Sequence, residues 1–128
     1  MPSVVDSSGW IEYFTNGENA EQFEQPIEDS ENLIIPTIIL TEVYKWILRN
    51  FGKDKALIAL TTMKQARIVD LDSFLAVSAA ENSHTLQLPL ADSIIYTTAR
   101  AHNATLYTQD ADMKGLEGVQ YIKHPRVS

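Results

Sequence analysis

Short β-branched runs alternate with longer stretches of helical periodicity along this chain, and that alternation confines it to few folds. Ser3-Val4-Val5, Leu33-Ile34-Ile35, Arg67-Ile68-Val69-Asp70, Thr105-Leu106-Tyr107 and Val119-Gln120-Tyr121-Ile122 read as five short strands. Ser7-Ser8 is expected to cap a helix carrying Trp10, Ile11 and Phe14 on one face. A Glu-rich helix near Asn19 to Gln25 is expected to stop at Pro26. Thr37 is expected to cap a long helix to about Asn50, with Gly52 as its stop. Further helices are expected from Lys53 to about Gln65, from Asp72 or Ser73 to about Thr85, and from Pro89 to about Ala101, where Asn103 suits the C-terminal cap. Hairpin signals are few. Such a pattern implies an α/β fold: a parallel sheet with helices on both faces, right-handed crossovers, and ligands outside the carboxyl ends of the strands.

With 128 residues and no linker, repeat or biased segment, a single domain over 1–128 is expected. The absence of cysteine excludes disulfides, thiolate metal sites and a cysteine nucleophile. No run approaches the roughly 18 apolar residues of a membrane span. The start Met-Pro-Ser-Val-Val-Asp lacks the pattern of a signal peptide, so a cytoplasmic location is expected. A net charge of −7 argues on its face against nucleic-acid binding. The charge is unevenly spread, however. Glu18, Glu21, Glu24, Glu28, Asp29 and Glu31 form a run without a base, whereas six of the ten bases lie between Lys45 and Arg67.

The strand-end rule converts scattered acids into a candidate site. Asp6 ends the first strand, and Asp110 and Asp112 follow the strand at Thr105, so these acids open on one edge of the sheet. Glu42 sits in the second turn of the helix after the second strand, set among Ile38, Ile39, Val43 and Trp46; Asp92 sits in the first turn of a later helix. Singly, each acid reads as a cap, a helix-dipole partner or a loop residue. Together they repel. Two charges about 4 Å apart cost roughly 4 kcal/mol at an effective dielectric of about 20, so a cluster holds protons or a cation. All-oxygen ligands favour Mg²⁺ or Mn²⁺ over zinc. An ion so held makes an acidic pocket able to attack a phosphodiester of RNA or DNA.

The pieces Val4-Val5-Asp6-Ser7-Ser8, Thr41-Glu42-Val43, Leu88-Pro89-Leu90-Ala91-Asp92 and Thr108-Gln109-Asp110-Ala111-Asp112 resemble the PIN domain, and within it the VapC-type toxins of toxin–antitoxin systems. The resemblance runs through nearly the whole chain in order. It implies a three-layer α/β/α fold with a five-stranded parallel sheet in order 3-2-1-4-5. It implies that Asp6, Glu42, Asp92 and Asp110 bind Mg²⁺ or Mn²⁺, that Asp112 is a further acid, and that Ser7 and Thr108 support them. The activity it implies is RNA hydrolysis by a metal-activated water, with Glu42 either a ligand or the group that positions the water. A homodimer and a VapB-like antitoxin partner are implied as well. Met113 stands where an aromatic residue is common, which is expected to alter packing more than chemistry.

Lys45 and Arg49 share the helix face of Glu42 and are candidate RNA contacts, as is Arg100, eight residues after Asp92. A solvated basic face, or service to a helix C-terminus, is the competing reading of these three. His84, His102 and His124 are scattered without ligand spacing and read as surface or cap residues. Neither Gly-x-Ser-x-Gly nor a Gly-rich phosphate loop occurs. A phosphatase or phospho-acceptor built on Asp6 is disfavoured, because Asp6-Ser7-Ser8 supplies no Asp-x-Asp and the fourth strand ends without a lysine. A PIN-like module that binds metal or RNA without cutting is the non-enzymatic alternative.

Overall fold

The computed structural model describes residues 1–125. In chain order it contains β1 (Ser3–Val5), α1 (Ser7–Thr15), α2 (Ala20–Glu28), β2 (Leu33–Pro36), α3 (Thr37–Phe51), α4 (Lys53–Met63), β3 (Arg67–Val69), α5 (Ser73–Leu86), α6 (Leu90–Ala101), β4 (Thr105–Thr108) and β5 (Val119–Tyr121). The strands form one parallel sheet in order β3-β2-β1-β4-β5, as the resemblance implies. Val4, Val5, Ile35 and Leu106 are wholly buried, and β2 is buried at every position. Strands covered on both faces need such continuous apolar runs rather than alternation. Helices pack pairwise, α1 on α2, α3 on α4 and α5 on α6, to complete a three-layer α/β/α arrangement.

The topology fixes where a site can form. From central β1 the chain winds outward through β2 and β3, then returns to the other side of β1 for β4 and β5. Winding therefore reverses between β1 and β4, and a crevice opens beyond the carboxyl ends of those two strands. The register pairs Val5 with Tyr107, so Asp6 and Thr108 leave the sheet side by side.

Several boundaries depart from the sequence expectation. Asp6, not Ser7 or Ser8, is the N-cap of α1, its own carboxylate accepting the Ser7 amide. Helix α2 does not stop at Pro26 but continues to Glu28. Proline there costs the bond to the Gln22 carbonyl, yet the extra turn buries Pro26 and Ile27 in the core, and burial wins. Pro36 occupies the cap position expected of Thr37, which becomes the first residue of α3. Gly52 ends α3 at φ 88°, a conformation that suits glycine. Asp72 is the cap of α5, accepting the Leu75 amide. His102 takes the cap position of α6, and Asn103 follows in the left-handed region. Met113 is fully buried, so the position often held by an aromatic residue is filled by core packing.

Candidate active site

Asp6 is the hinge of the crevice. It is 5% exposed, and both of its oxygens are engaged: Oδ1 accepts the Ser7 amide at 2.8 Å and Oδ2 accepts the Thr108 hydroxyl at 2.7 Å. Buried Thr108 also accepts the Asp110 amide at 3.0 Å, so one hydroxyl ties the acid of β1 to the acid after β4. Asp110 in turn caps the turn that follows, its Oδ1 accepting the Asp112 amide at 2.9 Å. Ser7 contributes twice: its amide holds Asp6, and its hydroxyl donates to Glu42 Oε1 at 2.5 Å, reaching from α1 to α3. Asp92 enters from the first turn of α6, which Ser93 anchors by a 2.6 Å bond to the Ala79 carbonyl of α5.

These side chains meet in an open cleft of about 530 Å³, in whose wall Asp6, Glu42, Asp92 and Asp110 all take part. Carboxylate oxygens of Asp92, Asp110 and Asp112 lie within 4.8 Å of one another, with Asp112 exposed at the rim. The cluster shows in its acidities. Burial pushes the Asp6 carboxyl up to about 6; its bonds to Thr108 and Ser7 oppose this, and the charges of Glu42 and Asp110 add to it. Asp92 is pushed up to about 7, by burial first and then by Asp110, Asp6 and Asp112. Its place at a helix N-terminus favours the ionised form by only about 0.3–1 kcal/mol, so burial and like charge outweigh the dipole. Hard oxygen donors under mutual repulsion are the chemistry a divalent cation such as Mg²⁺ or Mn²⁺ satisfies, and the residues present fit one.

The comparison with sequence families accords with this geometry. The sequence model of the PIN domain matches residues 3–119. The chain belongs to the PIN domain family. A search of curated protein sequences gave no match. Among solved structures, this PIN domain is similar to a toxin–antitoxin complex from Klebsiella pneumoniae, with 22% identity and a TM-score of 0.77 over 92% of this chain and 95% of that one. It is also similar to DNA-bound VapBC from Salmonella typhimurium, with 16% identity and a TM-score of 0.75 over 96% and 98%. A third is VapC20 of Mycobacterium tuberculosis, a sarcin–ricin-loop-cleaving toxin, with 17% identity and a TM-score of 0.74 over 91% and 98%. At these identities the likeness is one of fold.

Within this PIN domain the structure gathers Asp6, Ser7, Glu42, Asp92, Thr108, Asp110 and Asp112 at one sheet edge. The three basic candidates fare differently. Lys45 and Arg49 are exposed on α3, outside the cleft wall. Arg100 is held at the other end of α6 from Asp92: it pairs with Glu117 at 3.1 Å and lies against Gly118, which leads into β5 at the opposite edge of the sheet. Ser8, Gln109 and His124 also line the cleft, and the sequence reading missed them. His124, read there as a surface or cap residue, follows β5 on the carboxyl edge, so the strand-end rule applied to that strand finds it.

Thr108→Val tests the hydroxyl bridge. The change removes the donor to Asp6 Oδ2 and the acceptor of the Asp110 amide while keeping the side-chain shape. Unfolding by urea is expected to show a loss of about 1–3 kcal/mol. Divalent-ion affinity is expected to fall as well, because Asp6 and Asp110 lose their common tether.

Proposed function

We propose that this PIN domain, as a single domain over 1–128, is a metal-dependent endoribonuclease of the VapC type, hydrolysing RNA phosphodiester bonds under control of a VapB-like antitoxin. The observation that carries the reading is the cluster of Asp6, Glu42, Asp92 and Asp110 at the winding reversal, with two of its carboxyls pushed far above their ordinary range. The toxins of similar fold, one of them described as cleaving the sarcin–ricin loop, support it.

Asp6, Asp92 and Asp110 would hold Mg²⁺ or Mn²⁺, with Asp112 adding charge at the rim. A divalent cation, when bound, supplies charge stabilisation and an acidified water. Thr108 and Ser7 keep Asp6 in one orientation, so its carboxylate needs no rearrangement. Ser7 occupies one oxygen of Glu42, which favours Glu42 as the group that holds the attacking water over a bidentate ligand.

Exposed apolar residues support the protein partners. Phe74 and Val77 stand out from α5, Leu90 from α6, and Phe51 and Ile58 from α3 and α4. We assign these faces to a homodimer and to the antitoxin. No helix among the described residues is long and apolar enough to cross a membrane, and the proposed place of action is the cytoplasm. The reading is tested by incubating antitoxin-free protein with labelled transfer, ribosomal and messenger RNA, with Mg²⁺ or Mn²⁺ and then with EDTA. Cutting that EDTA abolishes is expected. Folded, ion-loaded protein that cuts none of these RNAs contradicts the reading and favours a binding module.

A further inference from the structure

The cleft wall is, among the described residues, acidic or neutral except at one point. Among the described residues, His124 is the only lining side chain able to carry a positive charge. Its position is built rather than incidental. The Ile122 amide donates to the Thr108 carbonyl at 2.8 Å, which carries the chain past the end of β5 along the cleft. Buried Asn19 then donates to the Lys123 carbonyl at 3.3 Å, and the same amide group holds Gln109, another cleft residue, at 2.9 Å. Finally, His124 Nε2 lies 3.0 Å from Oε1 of Glu12, a carboxylate from α1 that is 8% exposed. Glu12 is itself seated against Gly17, where any Cβ would coincide with its carboxylate.

A polyanion approaching carboxylates needs a cationic foothold beside them. We propose that His124, held by Glu12, contacts a backbone phosphate of the RNA in the cleft, and that Glu12 is the positioning residue behind it. The Glu12 carboxylate lies 3.0 Å from Nε2 without forming a hydrogen bond to it, so it acts on the ring through charge and proximity. This inference rests on the ribonuclease reading.

The test uses the full chain with Mn²⁺ and the labelled transfer or ribosomal RNA cut in the assay above, in single-turnover cleavage. For His124→Ala the half-saturating protein concentration is expected to rise about tenfold, one charge-assisted contact's worth. The limiting rate and the Mn²⁺ affinity are expected to stay within about twofold. The slope of log affinity against log salt is expected to fall by about 0.7, one phosphate contact on a single strand. His124→Lys, which keeps a cation, is expected to recover most of the affinity, and Glu12→Gln to weaken it less than His124→Ala does. Unchanged half-saturation and salt slope in His124→Ala overturn the inference and leave the ribonuclease reading standing. An equal fall of limiting rate, Mn²⁺ affinity and thermal midpoint in both His124 variants also overturns it, because that marks a residue that only pins the tail. Wild-type protein without metal-dependent cleavage defeats the ribonuclease reading, and this inference with it.

Discussion

Asp6→Asn is expected to lower metal-dependent RNA cleavage by about a thousandfold or more while leaving the protein folded. The magnitude follows from losing several kcal/mol of charge stabilisation at about 1.4 kcal/mol per tenfold in rate. The stability expectation runs the other way. The substituted side chain keeps an oxygen for the Ser7 amide and presents an amide group to Thr108, whose hydroxyl both donates and accepts. The change also removes a buried carboxylate whose ionised form is disfavoured by burial and by Glu42 and Asp110. Without metal at neutral pH, the variant's urea midpoint is therefore expected to match or exceed that of the wild type. Cleavage lost with stability kept is the signature of a site strained for function. A variant that cuts at the wild-type rate removes Asp6 from the mechanism.

The second large effect is a pH-dependent stability that divalent ions cancel. Asp6 sits at about 6 and Asp92 at about 7 in the folded chain, both above the ordinary carboxylate range of the unfolded one. Between the two ranges the unfolded chain has released these protons and the folded one retains them, so stability falls as pH rises. For Asp6 alone the loss by neutral pH is about 3 kcal/mol. Asp92 acts in the same direction, with a smaller share because it is half-buried and screened by solvent. Metal-free protein is therefore expected to melt about 10 °C lower near pH 7.5 than near pH 5. Millimolar Mn²⁺ is expected to raise the midpoint near pH 7.5 and to do much less near pH 5, where binding must first displace protons. A thermal melt series in buffers of matched ionic strength, with and without Mn²⁺, reads both effects. A metal-free midpoint that climbs from pH 5 to pH 7.5 contradicts the crowding of these carboxyls.

Strands β1 and β2 were legible because they are buried on both faces and so appear as unbroken β-branched runs, as at Val4-Val5 and Ile34-Ile35, whereas the edge strands β3 and β5 are only partly buried. Strand order was legible only by resemblance, since nothing in the spacing of five short runs distinguishes one winding from another. The carboxylates Asp6 and Asp110 follow from the strand-end rule alone. Glu42 and Asp92 do not, because helix packing brings them to the cleft, and here Ser7 to Glu42 and Ser93 to Ala79 are the bonds that do so. Local rules failed where distant contacts outweighed them. Pro26 stays helical because its turn buries Ile27, and Arg100 turns from the cleft because its helix ends beside Glu117. The strand-end rule applied to β5 places His124 at the cleft edge, but its neighbours there, Glu12 in space and Asn19 through Lys123, lie more than a hundred residues away along the chain and leave no local signal.

Titration of Mn²⁺ into metal-free protein near neutral pH, followed by the electron paramagnetic resonance signal of the free ion, tests the central claim most directly. The wild type is expected to deplete the free-ion signal saturably, and Asp92→Asn combined with Asp110→Asn to leave it in place while remaining folded. A folded double variant that takes up Mn²⁺ as tightly as the wild type would show that the acidic cleft beyond β1 and β4 is not the metal site, and the mechanism built on it would fall.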